Sequence, residues 1–156
     1  MPKPQAQPSG VGQSAIGESA TIVPGSIHDG DTLRIRQGEK VTKLRFCGID
    51  APELAQPLGV ESRDYLRRLL GDGAVRVVTV EKDKYDRTVG ELFLPDGRSV
   101  NVEMVRAGMA YHYAKYSGNC SVKGAIVQAE DEAQSKRLGV WTGEYQKPWD
   151  YRRMSH

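Results

Sequence analysis

Between His28 and Glu53 the chain reads HDGDTLRIRQGEKVTKLRFCGIDAPE, with acids gathered at both ends of the stretch and Arg45 just ahead of the second group. Carboxylates brought together repel unless a proton or a cation lies between them. Asp31 and Asp50, with a backbone carbonyl and waters, would make an oxygen shell for a hard divalent ion. Glu53 is then left over as an acid available to take a proton. Further on, EKDKYDRTVGEL holds Lys84, Tyr85 and Arg87 in a second basic cluster. Guanidinium groups pair with phosphate oxygens through two parallel hydrogen bonds, a geometry lysine lacks. An acid pair for a metal, two arginines and a spare glutamate are the parts needed to cleave a phosphodiester: charge neutralisation of the transition state, and a base for the attacking water. Each motif also has a plainer reading. DGDT is a good turn sequence, and DAPE ends a strand at Pro52.

These residues need a hairpin to bring them together. Leu33 and Ile35 alternate with polar neighbours in Thr32 to Arg36, RQGEK turns, and Val41 to Ile49 returns. With Gly38-Glu39 at the turn, Asp31 lies opposite Phe46, so Phe46, Gly48 and Asp50 share its face. Strict alternation turns Arg45 away from both acids, which predicts a bulge or strong curvature there. Other strands are expected over Ser19 to Ile27 (interrupted at Pro24-Gly25), Ala74 to Val80 and Val89 to Leu94, with a short last one at Ser99-Val100 after the LPDGRS turn. Helical patterns cover Gly59 to Leu70, Val102 to Ala107 and Val122 to Leu138. Asn101 is the expected N-cap of the second, and Gly108 its stop. Five short antiparallel strands with about three α-helices predict an α+β fold, a small closed barrel of the oligonucleotide-binding (OB) type.

The expected organisation is a flexible leader over 1–18, one domain over 19–145, and an extension over 146–156. In the extension, QKPWDYRR folds back as an anchor or contacts nucleic acid directly. The leader, MPKPQAQPSGVGQSAIGE, is rich in Pro, Gln, Ser and Gly and has no apolar core of the signal-peptide kind; it reads as the remainder of a processed export precursor. The formal net charge is only +2, so an anionic polymer would be drawn by local clusters rather than by the overall field. No apolar run reaches the length of a membrane span. Cys47 and Cys120 are either two reduced buried thiols or one long-range disulfide.

DGDT, RFCGIDAPE and DKYDR, in this order and at these separations, resemble the staphylococcal nuclease (thermonuclease) family. The resemblance runs from about Thr21 to Trp141 and takes in VNVEMVRAGMAYHY and SKRLGVW. It implies calcium held by Asp31, Asp50 and the carbonyl of Ala51, with Arg45 and Arg87 on the scissile phosphate and Glu53 as general base. It also implies an OB barrel with three helices, and cleavage of DNA and RNA to 5′-hydroxyl and 3′-phosphate ends. Lys84, Tyr85 and, within YHYAKY, Tyr116 and then Tyr113 would contact substrate; the plainer reading packs these tyrosines beneath the last helix. His28 and His112 have no catalytic partners and are taken as structural or exposed. Two departures stand out. Asp86 replaces the family's glycine beside Arg87, and the loop LAQPLGVESRD after Glu53 is short. The resulting expectation is a metal-dependent, exported or periplasmic endonuclease, monomeric, with no membrane or obligate protein partner. The alternatives are a non-catalytic nucleic-acid-binding barrel, a metal-independent nuclease on the same fold, or a calcium-dependent interaction protein.

Overall fold

A computed structural model of the chain describes residues 16–155; residues 1–15 of the expected leader lie outside them. Strands β1 (Glu18–Ile22), β2 (Thr32–Gln37), β3 (Lys40–Phe46), β5 (Ala74–Lys82) and β6 (Thr88–Phe93) close a barrel in the order β1-β2-β3-β6-β5. The alternation of β2 and β3 puts Leu33, Ile35, Leu44 and Phe46 inside, each at most 2% exposed. All neighbouring strands run antiparallel except β3 and β6, which pair in parallel with Arg45 opposite Val89. The expectation of an all-antiparallel barrel is corrected here. Between β3 and β6 the chain passes through a helix and β5, and returning from that crossover sets β6 alongside β3 in the same direction. Two short strands, β4 (Ile49–Asp50) and β7 (Tyr111–His112), pair outside the barrel.

Among the described residues four α-helices accompany the strands rather than three: α1 (Gly59–Leu70), α2 (Val100–Arg106), α3 (Lys123–Ser135) and α4 (Pro148–Met154). Helix α1 buries Leu66 and Leu70, α2 buries Val102, Met104 and Val105, and α3 buries Ile126 and Ala129, all toward one core. The last strand expected at Ser99-Val100 is a single bridge from Phe93 to Ser99, after which α2 begins. Ser99, not Asn101, caps α2, its hydroxyl accepting the Val102 N–H at 3.1 Å. Asn101 is one residue inside the helix and fully buried. Its amide donates to the carbonyls of Cys47 (2.9 Å) and Gly90 (3.3 Å), and its oxygen accepts the Leu92 N–H (3.1 Å). A buried side chain that bonds three backbone groups is worth more to the fold than a cap that serine supplies as well.

The turn that aims the acids is Cys47-Gly48. Gly48 has φ +80°, and a Cβ there would come within 3.1 Å of both the Cys120 sulfur and Ile126 Cδ1, so glycine meets a conformational and a steric demand together. Cys47 and Cys120 are joined in a disulfide that settles the alternative left open by the sequence. The bond closes a loop of 73 residues, which in chain-entropy terms is worth about 4 kcal/mol. It ties the loop before α3 to the turn that leads into Asp50.

Candidate active site

Asp31 precedes β2. Its Oδ2 accepts the Ala51 N–H at 2.7 Å and its Oδ1 accepts the Thr32 hydroxyl at 2.9 Å, so one carboxylate joins the start of β2 to the exit of β4. The β2–β3 ladder is regular, with Thr32 opposite Arg45 and the Phe46 N–H donating to the Asp31 carbonyl. No bulge occurs at Arg45, so the first of the two expected devices is absent. The chain instead turns after β3, at Cys47-Gly48, and carries Asp50 round to the side where Arg45 projects. The Arg45 guanidinium fills the crook of that turn. Its Nη1 donates to the carbonyls of Phe46 (3.0 Å) and Ile49 (2.9 Å) and lies 3.4 Å from Asp31 Oδ2, while Nη2 lies 3.3 Å from Asp50 Oδ1. Asp31 and Asp50 therefore converge with one arginine between them.

A second arginine completes the cluster. Arg152, from α4, donates to both oxygens of Asp50 (3.0 and 2.7 Å) and to Glu53 Oε2 (2.6 Å). Glu53 follows Pro52 in the loop before α1, and its N–H donates to Gln56 Oε1 at 2.9 Å. Among the described residues, no donor reaches its other oxygen, Oε1. Asp29, also buried, accepts the Asp31 N–H at 3.1 Å.

Four carboxylates thus face two guanidiniums in a largely buried cluster, and the acid excess appears in the shifts of Asp29 and Asp50. Burial, with the Asp31 charge beside it, pushes Asp29 up to about 9. Burial also pushes Asp50 up to about 6, against the hydrogen bonds from Arg152. For Asp31 burial acts in the same sense, but Arg45 and the hydrogen bonds from Asp29, Ala51 and Thr32 outweigh it and hold the carboxyl below its usual range. A divalent cation would relieve the excess. The donor set, with Asp31 and Asp50 converging beside Ala51, suits a hard ion.

The other predicted residues lie apart. Arg87 is at the turn between β5 and β6, where its Nε donates to Asp83 Oδ2 at 2.8 Å and its guanidinium lies 5.4 Å from the Tyr85 ring centre; Lys84 is at 5.3 Å from the same ring. By strand alternation Arg87 shares the outer face of Val89, the residue opposite Arg45, but among the described residues it touches none of the site's acids. Asp86 has φ 64° and pairs with Lys82 at 3.2 Å, so its charge turns away from Arg87, and the left-handed position is one aspartate tolerates. Tyr113 stacks on Trp149 of α4, with ring centres 5.1 Å apart and planes at 7°, and Tyr116 meets Tyr113 edge-on with most of its surface exposed. His28 is exposed, and His112 is bonded to the Ser117 hydroxyl at 2.8 Å.

Sequence reasoning missed Asp29 and Arg152. Asp29 was visible as the first acid of DGDT but was read as part of a turn. Arg152 carried no signal for this contact, because QKPWDYRR lies about a hundred residues from Asp50 and Glu53.

Fold and site together define an α+β domain of the oligonucleotide-binding barrel class, with a charged cluster where the β2–β3 hairpin gives way to β4. The chain belongs to the staphylococcal nuclease family: the family model described as staphylococcal nuclease homologue matches residues 43–143. The match includes Arg45, Asp50, Glu53 and Arg87, whereas Asp31 and Arg152 fall outside it. The chain is 34% identical over 125 residues to an "uncharacterized endonuclease" of Escherichia coli, covering 80% of this chain and 79% of that one. It is 34% identical over 138 residues to a "micrococcal nuclease" of Shigella flexneri, covering 83% and 78%. With a probable staphylococcal-like nuclease of Oryza sativa subsp. japonica it shares 35% over 122 residues, covering 75% of this chain and 35% of the plant protein.

Proposed function

We propose that the protein is a sugar-nonspecific endonuclease that hydrolyses DNA and RNA to 5′-hydroxyl and 3′-phosphate ends, with Asp31, Asp50 and the Ala51 carbonyl holding a divalent ion, calcium first. The observation that carries this reading is the convergence of Asp31, Arg45, Asp50 and Glu53 from three separate chain segments onto one edge of the barrel. A bound hard cation would supply Lewis acidity at the phosphoryl oxygens and help to neutralise charge in the transition state. Glu53 offers Oε1 to the attacking water and takes its proton while Oε2 stays hydrogen-bonded. Arg45, rigidly held, directs its charge toward the phosphate from beside the acid pair. Arg87 must exchange Asp83 for a phosphate oxygen to serve in the same way, and Lys84, Tyr85 and the exposed Tyr116 would line the path of the strand.

The disulfide supports a secreted or periplasmic setting, since such bonds persist in oxidising compartments. Among the described residues no helix is long and apolar enough to cross a membrane. We take the active form to be a monomer. A metal-independent nuclease is a second reading, favoured by one observation: Arg152 already places positive charge on Asp50 and Glu53. A binding module without turnover leaves Glu53 and its free oxygen unexplained.

The test is incubation with single-stranded DNA in EDTA, calcium, magnesium or manganese, followed by end-group analysis. Calcium-stimulated cutting to 3′-phosphate ends is expected. Cutting that persists in EDTA would take the metal role from Asp31 and Asp50, and binding without cutting would make the chain a binding module.

A further inference from the structure

We infer that Arg152 is a positioning residue for the reaction, the fork through which α4 fixes the general base Glu53 relative to Asp50. This rests on the nuclease reading above and adds to it a residue outside the span that the family model matches.

The contact is built, not incidental. Helix α4 is seated by aromatic packing: Trp149 stacks on Tyr113 and meets Tyr111 edge-on at 5.8 Å. Pro148 is buried, and the Lys147 ammonium lies over the rings of Tyr111 (5.1 Å) and Trp141 (5.6 Å). Trp149 and Arg152 are three residues apart and so share one face of the helix. With Trp149 stacked, the stem of Arg152 is directed at the acid cluster.

The same segment also grips the loop that carries the base. Gln56 accepts the Glu53 N–H with its side-chain oxygen, and its Nε2 donates to the Gln146 carbonyl at 2.9 Å. The backbone of Glu53 is thus tied through Gln56 to the chain just before α4, and its side chain is tied to Arg152 within α4. Main chain and carboxylate are held from one direction, a stronger constraint than a lone surface ion pair.

At Glu53 the division of atoms separates positioning from obstruction. Arg152 takes Glu53 Oε2, and Oε1 receives no donor among the described residues. It takes both oxygens of Asp50 but does not touch Asp31, which Arg45, Thr32 and the Ala51 N–H hold. A planar guanidinium with five N–H groups can bridge two carboxylates and fix the distance between them; an ammonium cannot reproduce that fork. A base held by one oxygen beside the proposed metal-binding acid keeps the other aimed at a water bound nearby. Loss of that aim costs turnover more than substrate binding, because misplacement by about 1 Å is enough to cost on the order of 100-fold.

The experiment compares wild type, R152A and R152K on single-stranded DNA at saturating calcium, with calcium affinity measured separately by titration calorimetry. For R152A the expected result is a kcat lower by about 10- to 100-fold with KM within about threefold. Calcium affinity should be no weaker than in wild type. R152K should fall between the two, and added guanidinium ion should restore part of the R152A rate but none of the loss in E53Q. R152K keeps the helix charge and the stem packing, so it reports even where R152A folds poorly. Wild-type kcat in R152A would overturn the inference. So would faster turnover with tighter calcium binding, which would make Arg152 an obstruction. An inactive wild-type chain would instead remove the nuclease reading itself, and this inference with it.

Discussion

Two clusters of charge flank the β3–β6 pairing of the barrel, and they are made differently. Around Asp31, Arg45 and Asp50 nearly every polar atom is buried and has a partner, and Arg45 doubles as a brace for the carbonyls of Phe46 and Ile49. At the β5–β6 turn, Lys84 and Tyr85 are exposed, and Arg87 is held by one carboxylate, Asp83, within its own turn. The first cluster is set by the fold. The second is less enclosed: the Arg87–Asp83 pair is half-buried and local to its turn, so Arg87 can exchange Asp83 for a ligand at a lower cost than breaking the first cluster. Residues assigned to one reaction should therefore separate under mutation: the first cluster couples activity to stability, and the second affects activity alone.

The largest effect belongs to Glu53, which sits between the two kinds of environment. E53Q should lower kcat by roughly 100- to 10,000-fold, the range of general-base catalysis, while the melting temperature moves little; wild-type turnover in this variant would end its role as base. Arg45 and Arg87 then give the sharpest contrast. R45A should cost about 3 kcal/mol of stability, since it leaves Asp31, Asp50 and two carbonyls short of a partner in a buried site. R87A should cost under about 1 kcal/mol by denaturant titration while still reducing kcat/KM. Equal stability losses in the two would dissolve the distinction.

Asp29 offers a smaller, signed effect. Its folded value of about 9 lies well above the ordinary carboxylate value of 3.8, so the folded chain holds a proton that the unfolded chain releases. The stability Asp29 contributes is fully present below about pH 4 and is lost as pH rises toward 9. In EDTA, D29N should therefore flatten the decline of stability between pH 6 and pH 9 and gain about 2 kcal/mol at its alkaline end. An unchanged slope would contradict the upward shift of the buried Asp29 carboxyl. The least effect is expected of D86G. Asp86 already faces Lys82, so nuclease activity should stay within about twofold, and a larger gain would show that its charge reaches Arg87 after all.

Much of this was legible in the residues. Period-two alternation located β2, the RQGEK turn placed β3, β5 and β6 fall where strands were expected, and the Gly38 turn set a register that the Asp31–Phe46 pairing confirms. Helix α1 was placed at its exact ends by its apolar stripe. The failures have physical causes. A parallel β3–β6 pair depends on the path of a crossover, which no local pattern records. Asn101 looks like a cap, because its preference for caps and its use as a buried clamp draw on the same amide. The approach of Arg45 to the acids came from a left-handed glycine two residues past the strand, not from the strand itself. Arg152 stayed hidden because its partners are set by the docking of α4 through Trp149 and Tyr113, a long-range packing event.

The most direct test of the central claim, that Asp31 and Asp50 form a centre completed by a divalent ion, is calorimetric titration of the metal-free chain with calcium at neutral pH. One calcium per chain is expected, bound with release of protons from the crowded acids and abolished in the D31N/D50N double variant. Absence of binding, or binding that survives loss of both carboxylates, would contradict it.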